Sequence, residues 1–134
     1  MAEKIELTEQ DWKERLTPDQ YKILRQGGTE PPFANMYVHE KRDGVYRCAG
    51  CGTQLFSSET KYDSKSGWPS FWDPISKDAL RFVEDRSFGM VRVEVKCAAC
   101  DGHLGHLFDD GPNPTGMRYC MNSAAMELDP ADDE

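Results

Sequence analysis

Two C-x-x-C turns, Cys48-Ala49-Gly50-Cys51 and Cys97-Ala98-Ala99-Cys100, constrain this chain more than any other feature. Such a turn presents two sulfurs side by side. Four thiolates close a tetrahedral site with no position left for chemistry, and zinc is the default occupant. The span from Cys51 to Cys97 exceeds the roughly 15 to 20 residues common between such pairs. A shared ion would therefore clip together two hairpins distant in sequence. The expectation is one structural zinc per chain on Cys48, Cys51, Cys97 and Cys100. Gly52 and Gly102 suit turns whose amides point at the sulfurs. The competing reading makes one pair a redox dithiol, but no βαβ pattern surrounds either knuckle.

The chain has 134 residues and is expected to form a single domain over 1–134. Only 38% of its residues are hydrophobic, a thin supply for a core, which gives a metal staple something to do. Sixteen basic residues against 24 acidic ones leave a net charge of -8. That balance argues against a nucleic-acid partner, which needs a positive surface. No apolar run is long enough for a membrane span, and the N-terminal stretch has no apolar signal core. The expectation is a cytoplasmic protein.

Residues 1–28 read as helical. Thr8 caps a first short helix. Thr17-Pro18-Asp19-Gln20 starts a second, with Thr at N-cap, Pro in the first turn and Gln closing a capping box. Gly27-Gly28 ends it. This helical arm covers about residues 1–30. Residues 29–42, with Pro31-Pro32, read as irregular. Val45-Tyr46-Arg47 and Gln54-Leu55-Phe56 read as strands flanking the first knuckle, and residues 57–70 as a long loop. Residues 88–96 alternate polar and apolar side chains, as a half-buried strand does. Residues 109–116 form a turn cluster. Residues 117–124 read as the final strand, and about 129–134 as an acidic, disordered tail.

Cys120 is the fifth cysteine and has no place in the quartet. On a strand, Arg118, Cys120 and Asn122 share one face. A cation two residues away favours the reactive thiolate, and the Asn122 amide can orient a substrate. The alternative is the usual fate of free cysteine, a small buried hydrophobe. His103-Leu104-Gly105-His106 places two of the three histidines after the second knuckle. They can donate protons or steady an oxyanion. The alternatives are plain loop histidines or a second metal site. His39 reads as a surface residue. In Gly67-Trp68-Pro69-Ser70-Phe71-Trp72, Trp68 is the candidate pocket wall, while Phe71 and Trp72 are expected to cap the end of the β core.

Taken in order, these segments resemble the B-type methionine sulfoxide reductases, which restore methionine from its R sulfoxide. The matching stretches are Cys48-x-x-Cys51-Gly52, Tyr62-Asp63-Ser64, Gly67-Trp68-Pro69-Ser70-Phe71, Cys97-x-x-Cys100, residues 102–112 from Gly102 through His103 and His106 to Pro112, and Arg118-Tyr119-Cys120-x-Asn122-Ser123. The resemblance implies a mainly β fold: two antiparallel β-sheets with short N-terminal helices, pinned by a four-cysteine zinc site. It implies that Cys120 is the nucleophile and becomes a sulfenic acid. His103 and His106 are implied to hydrogen-bond and protonate the sulfoxide oxygen. Trp68 is the wall for the substrate methyl group, Asn122 helps fix the pocket, and Arg118 binds and aids thiolate formation. The substrates are oxidised peptides and proteins, and the chain is expected to be monomeric.

One departure stands out. Many members carry a resolving cysteine just before Gly-Trp-Pro, and here that position is Ser66. Every other cysteine is committed to metal, so an external thiol must regenerate Cys120, either thioredoxin or glutathione through glutaredoxin. The competing functions are a non-catalytic zinc-ribbon interaction module and a zinc hydrolase built on the His pair. A module needs neither Cys120 nor the histidines. A hydrolase would need metal on His103 and His106.

Overall fold

The computed structural model describes residues 7–29, 36–86 and 89–130. Two reciprocal capping boxes start the helices. Thr8 Oγ1 accepts the Asp11 N–H and the Asp11 carboxylate accepts the Thr8 N–H, opening α1 (Glu9–Arg15). Thr17 and Gln20 repeat the exchange at α2 (Pro18–Leu24). Gly27, at φ +70°, turns the chain out of α2. Residues 1–6 of the expected helical stretch lie outside the described residues. The helices are a cover on the knuckles, not an arm. A side chain at Gly50 would meet Trp12 at 3.2 Å and Leu24 at 3.6 Å. Arg25 lies over the Trp12 ring at 4.7 Å and donates to the Cys100 carbonyl at 2.8 Å.

The rest is mainly β, in two antiparallel sheets, as the resemblance implied. The smaller contains β1 (Gly44–Cys48), β2 (Gln54–Ser57) and β9 (Met126–Pro130), in the order β2-β1-β9. The larger contains β3 (Lys61–Tyr62), β4 (Ser70–Phe71), β5 (Leu80–Asp85), β6 (Arg92–Cys97), β7 (His103–Phe108) and β8 (Arg118–Met121). Its order is β3-β4-β8-β7-β6-β5. Aromatic rings fill the space between the sheets. Phe56 stacks on Phe71 at 4.4 Å, Tyr46 meets Phe71 edge-on at 5.1 Å, and Phe56 reaches Tyr119 at 5.6 Å. Phe71 is fully buried there, inside the core and not capping its end, while Trp72 is half-buried.

Several expected boundaries shift. The loop expected over 57–70 holds a 3-10 turn at Ser58–Thr60, β3 and the start of β4. The strand expected over 88–96 begins at Arg92, and Phe88 lies outside the described residues. Its apolar face is only partly covered: Val95 is buried, but Val93 is 38% and Val91 67% exposed. The strand expected over 117–124 stops at Met121, and a 3-10 turn at Ser123–Ala125 leads into β9. Asp129 and Pro130, expected in a disordered tail, pair with Val45 and Gly44 in β9, and Asp129 holds Arg47 at 3.1 Å. Residues 131–134 lie outside the described residues, as do residues 30–35 of the irregular segment.

Candidate active site

The larger sheet aligns one row of side chains across all six strands. Register pairs Val83 with Glu94, Glu94 with His106, His106 with Cys120, Cys120 with Ser70, and Ser70 with Tyr62. Directly opposed residues share a face. Cys120 and His106 therefore emerge side by side on the face away from the smaller sheet. They line a cavity of about 210 Å3 together with Trp68, Asn122, Arg92 and Arg118. Gly105 permits this pairing: a side chain there would sit 2.1 Å from the Cys120 carbonyl oxygen.

Burial pushes the Cys120 thiol above its ordinary 9.0, and hydrogen bonding from Ser66 and the charge of Arg118 only partly oppose it. The charge of Arg118 favours the thiolate, as expected of it, but burial outweighs it. Arg118 is also occupied elsewhere. It makes a two-pronged bond to Asp110, at 2.7 and 3.2 Å, and its guanidinium lies 4.3 Å from the Phe108 ring centre. Asn122 is buried, and its Nδ2 donates to the Leu104 carbonyl at 3.2 Å, tying the end of β8 to β7. Three serine hydroxyls back the thiol: Ser64 Oγ is 2.7 Å from both Ser66 Oγ and Ser70 Oγ.

The two histidines are strand residues, not loop residues. His106 borders the cavity, and its Nε2 lies 2.8 Å from Asp85 Oδ2. His103 sits behind it, 5% exposed, with Nδ1 2.7 Å from Glu94 Oε2. The rings meet edge to face, their centres 5.5 Å apart. Burial lowers the His103 pKa from 6.5, with Glu94 acting in the opposite sense. Asp85 and Glu94 were not legible as site residues. Glu94 belongs to the alternating pattern of β6, whose polar side turns toward the site.

At the far end of β6 and β7 the knuckles meet. The four sulfurs of Cys48, Cys51, Cys97 and Cys100 all lie within 4.8 Å of one another. Cys48 and Cys100 are 3.7 Å apart, Cys51 and Cys97 3.5 Å. A tetrahedral ion with bonds of about 2.3 Å requires sulfurs about 3.8 Å apart. The quartet fits a metal ion, and among the described residues it is the only such cluster. Both histidines are engaged by carboxylates instead.

A family model described as the SelR domain matches residues 16–130. The chain belongs to the B-type methionine sulfoxide reductases. It is 56% identical over 123 residues to Peptide methionine sulfoxide reductase MsrB of Methanosarcina mazei, covering 92% of this chain and 88% of that protein. It is 52% identical over 124 residues to the protein of the same name from a Synechococcus strain, covering 92% and 91%. Methionine-R-sulfoxide reductase B3, mitochondrial, of Mus musculus is 54% identical over 129 residues, which span 96% of this chain and 51% of the mouse protein. In this B-type reductase, the cavity beside Cys120 and the metal quartet stand apart, joined by β6 and β7. The quartet brings the end of β1 to the turn between β6 and β7, and those two strands carry Glu94, His103 and His106.

Proposed function

We propose that the chain reduces methionine-R-sulfoxide in peptides and proteins to methionine, with Cys120 as the nucleophile. The observation that carries this reading is the Cys120 thiol set in a cavity against Trp68 and His106, in a chain of this family. The Trp68 indole suits a thioether methyl group. As Cys120 sulfur attacks, the sulfoxide S–O bond breaks and an S–O bond to Cys120 forms. Two electrons pass to the substrate sulfur, and the thiol proton ends on the oxygen. Methionine leaves, and Cys120 is a sulfenic acid. The histidines supply the proton transfer, with Arg118 and Asn122 holding the walls.

Regeneration comes from outside. An external thiol condenses with the sulfenic acid, releasing water and leaving a mixed disulfide, and a second thiol frees Cys120. Thioredoxin or glutathione through glutaredoxin fits this role, because Ser66 replaces the resolving thiol. We assign zinc to the four-cysteine site, a monomeric state and a cytoplasmic setting on sequence grounds. A non-catalytic zinc-ribbon module would need no cavity at Cys120, so family and site favour the reductase.

The deciding experiment is turnover of a peptide bearing methionine-R-sulfoxide with dithiothreitol. Wild type is expected to be active and Cys120→Ser inert. Equal activity in both proteins would refute the assignment.

A further inference from the structure

His106 and His103 each lean on a carboxylate, but through different nitrogens. His106 uses Nε2, toward Asp85, and His103 uses Nδ1, toward Glu94. An ionised carboxylate only accepts, so the bonded nitrogen carries the hydrogen in each ring. The neutral rings are therefore opposite tautomers. His106 keeps its lone pair on Nδ1 and His103 on Nε2. His106 borders the cavity beside Cys120, whereas His103 Nε2 is buried without a hydrogen-bond partner among the described residues. Of the two imidazoles, only His106 lines the cavity that holds the thiol.

We propose that Asp85 is a positioning residue that holds His106 as its Nε2–H tautomer, so that Nδ1 relays the Cys120 proton to the sulfoxide oxygen. The inference rests on the reductase reading above. The balance is simple. The proton leaves Sγ for Nδ1 as the sulfur attacks, then passes to the oxygen as that oxygen's bond to the substrate sulfur breaks and its bond to Cys120 Sγ forms. His106 returns to neutral, and no other reactant is consumed. Asp85 accepts from Nε2–H throughout and stabilises the transient imidazolium, as carboxylates do in cysteine–histidine and serine–histidine chemistry.

Titratable and charged groups surround His106 on every side. Asp85 faces it from β5, Arg92 and Glu94 from β6, His103 from β7, and Cys120 and Arg118 from β8. Among the described residues only Asp85 bonds the ring. Arg92 Nη2 grips the same Asp85 oxygen at 3.4 Å, steadying the carboxylate in line with the imidazole.

The test uses the metal-loaded full chain. Nitrogen-15 NMR of the histidine side chains reads the tautomer directly, first in wild type, where no substitution disturbs the fold. His106 is expected to carry its proton on Nε2. In Asp85→Asn the amide donates to Nε2, and the proton is expected to move to Nδ1. With it, kcat on a methionine-R-sulfoxide peptide should fall about 10²- to 10⁴-fold while KM changes little. Asp85→Glu should retain the tautomer and recover most of kcat. A wild-type proton on Nδ1 would overturn the proposal. So would an Asp85→Asn protein whose kcat stays within about threefold of wild type. A wild type inert toward the sulfoxide would overturn the reductase reading and the relay with it. An active wild type whose His106 keeps its tautomer in Asp85→Asn would overturn the role of Asp85 alone.

Discussion

Ser66 Oγ lies 3.7 Å from Cys120 Sγ, on the loop that brings Trp68 to the cavity wall. A sulfur at that position would be within easy reach of a sulfenic acid on Cys120. In Ser66→Cys, one turnover without reductant should end in an intramolecular disulfide, with loss of water. In wild type the same turnover should leave a sulfenic acid or its trapped adduct. Peptide mass spectrometry separates the two. A Ser66→Cys protein that still ends as a sulfenic acid would show that the loop holds the two side chains apart.

Metal removal should loosen the fold before it touches the chemistry directly. The quartet joins the end of β1 to the turn between β6 and β7, and α1 and α2 rest on it through Gly50 and Gly102. We expect one metal ion per chain by elemental analysis, retained in His103→Gln and His106→Gln. Stripping it with a strong chelator should lower Tm by at least about 10 °C, given the size of structural metal binding energies. Metal lost on substitution of either histidine would contradict the site.

Gly105→Ala should be severe. Its new methyl group would press on the Cys120 carbonyl at 2.1 Å, a backbone atom that cannot rotate away. Prising β7 from β8 is expected to cost about 3 kcal/mol. It also separates His106 from Cys120, so activity should fall with stability. A urea midpoint close to that of wild type would show that the strands have slack there.

His103 should make the protein sensitive to mild acid. Its folded pKa lies below the 6.5 of an ordinary histidine, because burial disfavours the charged ring. The unfolded chain then binds more protons just below pH 6.5. Its stabilising contribution is complete above that value and is lost as pH falls toward the folded pKa. Urea midpoints of wild type should drop between about pH 7 and pH 5. The same series on His103→Gln should be flatter. Parallel profiles would assign the acid sensitivity elsewhere.

The chemistry of this site was more legible than its frame. Cysteine arithmetic isolated Cys120, the knuckles marked the metal quartet, and Thr17, Pro18 and Gln20 announced α2 by local hydrogen bonding alone. Strands β5, β7 and β9 carried no such local mark. In β7, His103, Gly105 and His106 interrupt any clean alternation, because a central strand is defined by neighbours on both sides. Asp85 and Glu94 were invisible for the same reason. Nothing local links them to the histidines, and only the register of β5, β6 and β7 brings them together.

The six-strand row through Cys120 also has a kinetic meaning. Its members come from strands spread between Lys61 and Met121, and a slip of one residue between β8 and its neighbours β4 and β7 would send the thiol to the opposite face. Until β8 docks between β4 and β7, Cys120 is an ordinary cysteine on an unfinished chain. Sulfoxide turnover during refolding would therefore begin only once β8 has docked, and its onset would time that pairing.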